Sequence, residues 1–317
     1  MPFCGARRMA AAMPAIRSSA RPEQNKLLGI GLRIAAATCF GIMAACIKLG
    51  YEHGVSTTEL VFYRFTFGLP PLMAWIAWSG NYGAWRTRRP AAHLRRALAG
   101  LGAMVLAFSA LDYLPLAESA TIGFVAPLFA VMLSALLLKE PVGRHRWSAV
   151  AIGFVGVLIV MRPSIDVPAV GFLLALAAAL GVAIVTILIR DIGRTEGTQT
   201  IVLWFSLISI PLVGLLMPFK ASNHDALTWA ILIGLGLFGG IAQLFLTASL
   251  RFAPVAVIVP FDYIQLLWAV LLGWALWETQ PPATTWIGAA IIVASGLYTI
   301  LREQRLGRAS KRAAPPL

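Results

Sequence analysis

The sequence predicts an all-α polytopic membrane protein, with ten transmembrane helices arranged as two inverted five-helix repeats. Three observations carry this prediction. First, 59% of the 317 residues are hydrophobic and only 12% charged, where a soluble domain carries roughly 25% charged residues. Second, the apolar residues fall in continuous runs near the length that crosses ~30 Å of hydrocarbon. They do not alternate, which excludes a membrane β-barrel. Third, Lys and Arg crowd into every second connection, and the two halves of the chain align on each other.

The elements follow in order. Residues 1–26 form a basic tail with one acid, Glu23, and no apolar signal core; it is expected to be a disordered cytosolic tail. An Arg-rich, acid-poor composition is also that of a transit peptide, and Met9 and Met13 offer later starts. The first run, 27–49, closes on Lys48, read as an interface anchor. The second, 57–78, opens on Glu59, and the fourth, 116–138, on Glu118. A carboxylate suits the positive end of a helix dipole at both places. The third run is 95–113; the fifth, 147–162, is short and ends at Arg162-Pro163. The second half repeats the series at 168–189, 198–217, 228–250, 254–276 and 284–301. Glu140 and Glu278 follow the fourth and ninth runs, just before Pro141 and Pro281-Pro282, and read as turn residues. The repeats are thus bounded at 27–163 and 164–303, and a second basic tail occupies 304–317.

Charge sets the orientation. The two tails and the connections after runs two, four, six and eight hold 21 Lys and Arg, against three (Lys48, Arg162, Lys220) on the opposite side. Arg33 and Arg64 lie inside runs. The positive-inside rule then puts both termini in the cytoplasm. The net charge of +13 is therefore topology, and nucleic acid is not an expected partner.

At offsets of 138 to 140, Gly41 aligns with Gly181, Arg64-Phe65 with Trp204-Phe205, Pro71 with Pro211, and Trp147 with Trp286. Leu111-Asp112-Tyr113-Leu114-Pro115 aligns with Leu250-Arg251-Phe252-Ala253-Pro254, and Glu140 with Glu278. Five helices per copy is an odd number, so the second copy inserts upside down. The Asp112/Arg251 corner fits this, acidic on the outside and basic on the inside. Inverted repeats mark alternating-access carriers, with the substrate site at the repeat interface near the membrane midplane.

Catalytic motifs are missing from the sequence. The four histidines are expected in loops, and no HExxH, Walker-type or GxSxG pattern occurs. The three cysteines, Cys4, Cys39 and Cys46, form no CxxC pair. No cofactor or metal is expected. Asp262 is the sharpest residue. It lies about nine residues into the ninth run, ~13 Å deep at ~1.5 Å per residue. A carboxylate there is expensive unless it is paired, hydrated or protonated. Gln265 shares its helix face, and Pro260 frees a carbonyl one turn earlier. The functional reading is a substrate or proton site; the bland one is an Asp bonded to a neighbouring helix. Arg64 lies ~10 Å into the second run by the same rise. It is placed either to pair Asp262, to bind an anionic substrate group, or to snorkel to the outer headgroups. Tyr63, Trp204, Phe261, Tyr263 and Trp268 line the presumed site helices, as stacking surfaces or as core. Gly-rich runs such as 234–240 let membrane helices approach closely.

The stretch Leu111–Ala117, Ala126-Pro127-Leu128-Phe129 running to Leu138-Lys139-Glu140, Trp147 and Gly153–Gly156 resembles EamA-type proteins of the drug/metabolite transporter superfamily. The second half repeats the pattern through Ala253-Pro254, Phe261-Asp262-Tyr263, Leu271-Leu272-Gly273, Glu278 and Trp286-Ile287-Gly288-Ala289. The resemblance covers about 27–303. It implies a ten-helix carrier with two inverted repeats and a central cavity, in a bacterial inner membrane. Members move amino acids, nucleotide-like metabolites, cofactors or drugs. Phe261-Asp262-Tyr263 and Trp286–Ala289 look most like the branch with riboflavin and S-adenosylmethionine uptake proteins. Trp277-Glu278-Thr279 departs from the Gly-Glu pair of many members.

The expected function is therefore secondary transport of a small organic metabolite. Asp262, Arg64, Gln265, Tyr263, Trp204 and Trp268 are the candidate binding or coupling residues. An acid, a base and aromatic walls suit a zwitterionic or heteroaromatic substrate: riboflavin-like, S-adenosylmethionine-like or an amino acid. The expected partners are that substrate and the lipid bilayer, with proton coupling and a homodimer left open. The rival classes are an intramembrane lipid-modifying enzyme and a non-transporting scaffold.

Overall fold

The computed structural model describes residues 26–137, 144–161, 169–253 and 258–313. Glu140, Pro141 and Arg162-Pro163 lie outside the described residues. The helices are α1 (Lys26–Glu52), α2 (Thr57–Thr66), α3 (Leu69–Ser79), α4 (Pro90–Tyr113), α5 (Leu116–Gly123), α6 (Ala126–Leu137), α7 (Arg144–Met161), α8 (Ala169–Ile192), α9 (Thr198–Gly214), α10 (Met217–Lys220), α11 (Ala226–Phe252), α12 (Ile264–Trp277) and α13 (Ala283–Ala313). Short 3₁₀ turns cover Tyr82–Trp85 and Val259–Tyr263. Six segments are long and apolar enough to cross a membrane, and four shorter apolar helices fall on the remaining predicted runs.

Three predicted spans are interrupted rather than continuous, and proline explains where. The second run divides at Phe67-Gly68, just before Pro70-Pro71 in the first turn of α3. The fourth divides at Phe124-Val125, before Pro127 in α6. In the ninth, the described residues Val259–Tyr263, with Pro260, form a 3₁₀ turn that passes into an α-helix at Ile264; 254–257 lie outside the described residues. Proline has no N–H for the i−4 carbonyl and its ring clashes with that carbonyl, so an α-helix ends or shifts its pairing there. In a membrane such breaks survive only where neighbouring protein covers them.

The third run begins at Pro90, earlier than predicted. Ala92, His93 and Arg96 are buried there. His93 and His145 are consequently helical, on α4 and α7, which corrects the loop assignment made for them. Arg96, counted with a loop, sits inside the bundle.

The most extensive packing joins α1 to α11, α4 to α8, and α7 to α13. One core is centred on Leu60, Val61, Phe65, Leu232 and Leu235; a second on Leu114, Ile122, Val125, Leu128 and Phe172. Lipid is as apolar as these side chains, so close packing and polar ties, more than water exclusion, hold such helices together. Glycine supplies the close approach between α2–α3 and α11. A β-carbon on Gly240 would stand 2.6 Å from the Gly68 carbonyl oxygen, and one on Gly236 2.7 Å from that of Tyr63. Large apolar side chains stand bare on several helices: Leu98, Val105, Val155, Leu158, Leu173, Leu267 and Ile287 are exposed. A bilayer covers a surface of this kind.

Candidate functional site

Asp262 sits on the 3₁₀ turn that Pro260 enforces. Its carboxylate is gripped by the guanidinium of Arg33 on α1, with Nη2 donating to Oδ2 at 2.5 Å and Nε to Oδ1. This fork-on-fork geometry is the strong form of an ion pair. The Arg33 side chain is 9% exposed and that of Asp262 30%, so the carboxylate keeps an open side. Two residue ties extend the same seam. The Trp268 indole N–H donates to Thr38 Oγ1 at 2.9 Å, and Gly41 receives the Trp268 side chain so closely that a β-carbon there would lie 2.7 Å from its Cβ. Gln265 is half-buried on the first turn of α12. The Tyr263 ring meets Phe124, at the break between α5 and α6, with centroids 4.8 Å apart. Its hydroxyl points to the Val293 carbonyl at 3.5 Å.

Asp262, Tyr263, Gln265 and Trp268 thus share one neighbourhood of α1, α12 and the α5–α6 break. Arg64 and Trp204 stand in another. Arg64, on α2, is buried, its guanidinium carbon 4.9 Å from the Phe65 ring centre. Phe65 meets Phe205 of α9 edge-on at 4.8 Å, and the Arg96 guanidinium lies 3.6 Å from the Phe205 ring centre. Trp204 is half-buried, its ring 5.8 Å from the His93 ring. Helix α1 faces both groups: Gly41 abuts Trp268, whereas Met43 lies at Gly239, beside Arg64. The base that pairs Asp262 is therefore Arg33 rather than Arg64. Arg33 carried a readable signal: a cation well inside an apolar run needs an anion. Lys48, expected as an anchor, donates to the Leu111 and Leu114 carbonyls at 3.4 and 3.2 Å and so caps the end of α4.

The two ends of the bundle are each tied by a buried His–Glu pair. At the start of α2, Glu59 forms a capping box with Ser56 and accepts from the Ser222 amide at 2.9 Å, while its Oε1 lies 2.8 Å from His224 Nε2. Before α9, Glu196 lies 2.6 Å from His93 Nε2 and accepts from Thr87 Oγ1 and from the Arg88 amide. Burial pushes the Glu196 carboxyl upward, but the donors from Thr87, His93 and Arg88 outweigh it and hold it below the usual range. Glu118 opens α5 as expected and accepts from Thr285 at 3.2 Å. Glu278 ends α12 in the left-handed conformation, φ 53°, which fits its reading as a turn residue.

An apolar helical bundle with broken helices, and an ion pair at one break whose acid keeps an open side, fits the way membrane carriers are built. The chain belongs to the EamA-like transporter family, which it matches twice, over residues 27–162 and 169–301. It is 26% identical to a riboflavin transporter of Vibrio cholerae over 295 residues, covering 92% of this chain and 99% of that protein. A riboflavin transporter of Rhizobium johnstonii is 30% identical over 264 residues, 83% of this chain and 85% of that one. A solved crystal structure shares the fold with a TM-score of 0.62 at 21% identity, covering 89% of this chain and 98% of that one. The chain is thus a transporter of small molecules, not an enzyme.

Proposed function

We propose that this protein is a secondary carrier that moves a zwitterionic or heteroaromatic metabolite across a bacterial inner membrane by alternating access. Riboflavin-like compounds come first, followed by S-adenosylmethionine-like compounds and amino acids. All ten apolar segments cross the bilayer as two inverted five-helix repeats, with both termini cytoplasmic. Several contacts support the two-fold relation. Helix α1 packs on α11 as α8 packs on α4, which is the same pairing after exchange of repeats. The aligned residues Phe65 and Phe205 touch each other, as do Phe124 and Tyr263. Residues related by a two-fold axis meet only where they lie close to it.

The observation that carries the reading is the Arg33–Asp262 pair on the broken ninth span. Asp262 is the substrate or coupling carboxylate, Arg33 holds it, and Tyr263, Gln265 and Trp268 supply ring and amide surface beside it. In the carrying cycle, Arg33 releases the carboxylate to a cationic substrate group or to a proton, which couples opening to loading. The His224–Glu59 and His93–Glu196 ties close the outer and inner ends in turn. Counterflow in proteoliposomes tests this: labelled riboflavin, S-adenosylmethionine and amino acids are offered to vesicles preloaded with the same unlabelled compound. Saturable exchange of at least one supports the reading, and no exchange by folded protein defeats it.

A further inference from the structure

The second neighbourhood has an electrostatic imbalance that Asp262 does not resolve. Arg64 and Arg96 are 7% and 5% exposed. Their guanidinium groups flank one aromatic pair, Arg64 over Phe65 at 4.9 Å and Arg96 over Phe205 at 3.6 Å. Arg64 Nε and Arg96 Nε and Nη1 are buried without a hydrogen-bond partner, and so is the indole Nε1 of Trp204, adjacent to Phe205. Ser209, one turn past Phe205 on α9, also has an unpartnered, buried hydroxyl. Among the described residues, no carboxylate is bonded to either arginine. The layer therefore holds two buried guanidiniums with unpartnered N–H groups that no described carboxylate neutralises, while His93 Nδ1, on the same helix as Arg96, is also buried without a partner. An unpaired buried charge is costly, and the aromatic faces offset only a part of that cost.

We propose that Arg64 and Arg96 form an oxyanion subsite between α2, α4 and α9, which takes a phosphate or carboxylate group of the transported molecule. A guanidinium presents parallel N–H groups that match the two oxygens of such a group. Two guanidiniums neutralise a dianion such as a phosphomonoester. The Phe65–Phe205 pair forms an apolar floor beside them that keeps water from competing. Access runs through a narrow cavity beside Arg64, bounded by Gly68, Ser206, Gly240 and Gln243. In the present conformation that cavity has room for about one water molecule. The ligand therefore needs this cavity to widen, and the close Gly68–Gly240 backbone contact between α3 and α11 forms one of its walls. The subsite rests on the carrier reading and narrows it to substrates that carry an acid group (amino acids, S-adenosylmethionine-like compounds or a phosphorylated flavin), since riboflavin itself carries none; binding itself is measured separately.

The test uses the purified full chain in a neutral detergent. Thermal unfolding and tryptophan emission are followed while inorganic phosphate, acetate or chloride is titrated at constant ionic strength. A saturable rise in unfolding temperature with phosphate or acetate, together with a change in emission, is expected; an equal response to chloride overturns an oxyanion site. Arg64→Gln and Arg96→Gln each weaken the response about tenfold or more, whereas Arg89→Gln, at the exposed pair with Asp191, leaves it intact. Without anion, Arg96→Gln unfolds no lower than the parent, since a buried unpaired charge has been removed. If the Gln variants do not fold, Arg64→Lys and Arg96→Lys keep the charge but lose the fork, and both must bind more weakly than the parent. Parent-like affinity in the arginine variants overturns the proposal. Stabilisation by phosphatidylglycerol in nanodiscs but not by free phosphate assigns the site to a lipid headgroup and also overturns it. Counterflow without saturable anion binding removes the subsite and leaves the carrier, whereas binding without counterflow removes the carrier reading and leaves an oxyanion site.

Discussion

Phe65 and Phe205, brought into alignment by the internal repeat, meet edge to face with ring centroids 4.8 Å apart. Both are buried, Phe65 at 1% exposure and Phe205 at 7%. Each also carries an arginine on its ring, so this contact joins the two repeats at the donor-rich layer. Truncating either ring leaves a cavity. Phe65→Ala and Phe205→Ala are each expected to destabilise the protein by about 3–5 kcal/mol. The double variant should cost less than the sum by about 0.5–1.5 kcal/mol, the value of the ring pair itself. Denaturation in detergent measures this cycle, and strict additivity would show that the two rings do not support each other.

Gly240 lies backbone to backbone against Gly68. A β-carbon at Gly240 would stand 2.6 Å from the Gly68 oxygen and 2.9 Å from its Cα, with no flexible side chain to yield. Gly240→Ala is expected to force the helices apart and cost about 1–3 kcal/mol. Gly102, which has nothing within 4 Å of that position, should accept alanine with little effect. Similar unfolding temperatures for the two variants would remove the close-approach argument.

The acid side of the stability profile should report on Glu196. Its carboxyl is held below the ordinary range by hydrogen bonds, so its contribution is complete above the unfolded value of ~4.3. The contribution falls away as pH drops through the lower folded value. The difference in unfolding temperature between parent and Glu196→Gln should therefore shrink as pH falls below about 4. A difference that grows toward low pH would contradict the assignment.

The proposed orientation, with both termini cytoplasmic, predicts Ser222 outside and Arg86 inside. Both residues are exposed. Ser222→Cys should react with an impermeant maleimide in intact cells, and Arg86→Cys only after the cells are opened. The reverse pattern would reverse the membrane orientation.

Much of this architecture was legible in the sequence because lipid imposes a simple rule. Apolar runs of the right length become helices, and the helices of the structure fall on the predicted runs. The breaks at Gly68, Val125 and Pro260 were less visible, since a proline marks a weak point without saying how the chain re-pairs. The depth of Asp262 singled it out, but its partner was left open: pairing with Arg64 was one of three alternatives, and Arg33 was not among them. Arg64 and Arg33 both lie within apolar runs, and choosing between them requires knowing which face of α1 meets α12. Arg96 was hidden by its neighbours. In Arg88-Arg89 and Arg95-Arg96 it reads as one more loop charge, and only the early start of α4 at Pro90 turns it inward. The His93–Glu196 and His224–Glu59 ties join positions more than 100 residues apart, which no local pattern encodes.

The Arg33–Asp262 pair offers the most direct test, because its two roles separate. Asp262→Asn leaves a buried guanidinium without its anion and should cost about 3–5 kcal/mol. The double variant Arg33→Gln/Asp262→Asn removes both charges and should regain most of that stability. Counterflow of the transported metabolite, measured in proteoliposomes for the parent, Asp262→Asn and the double variant, is the deciding measurement. Saturable exchange is expected in the parent and none in either variant, even with the double variant folded and inserted. Exchange restored to the parental rate in the double variant would show the pair to be structural and contradict the placement of the transport site at Asp262.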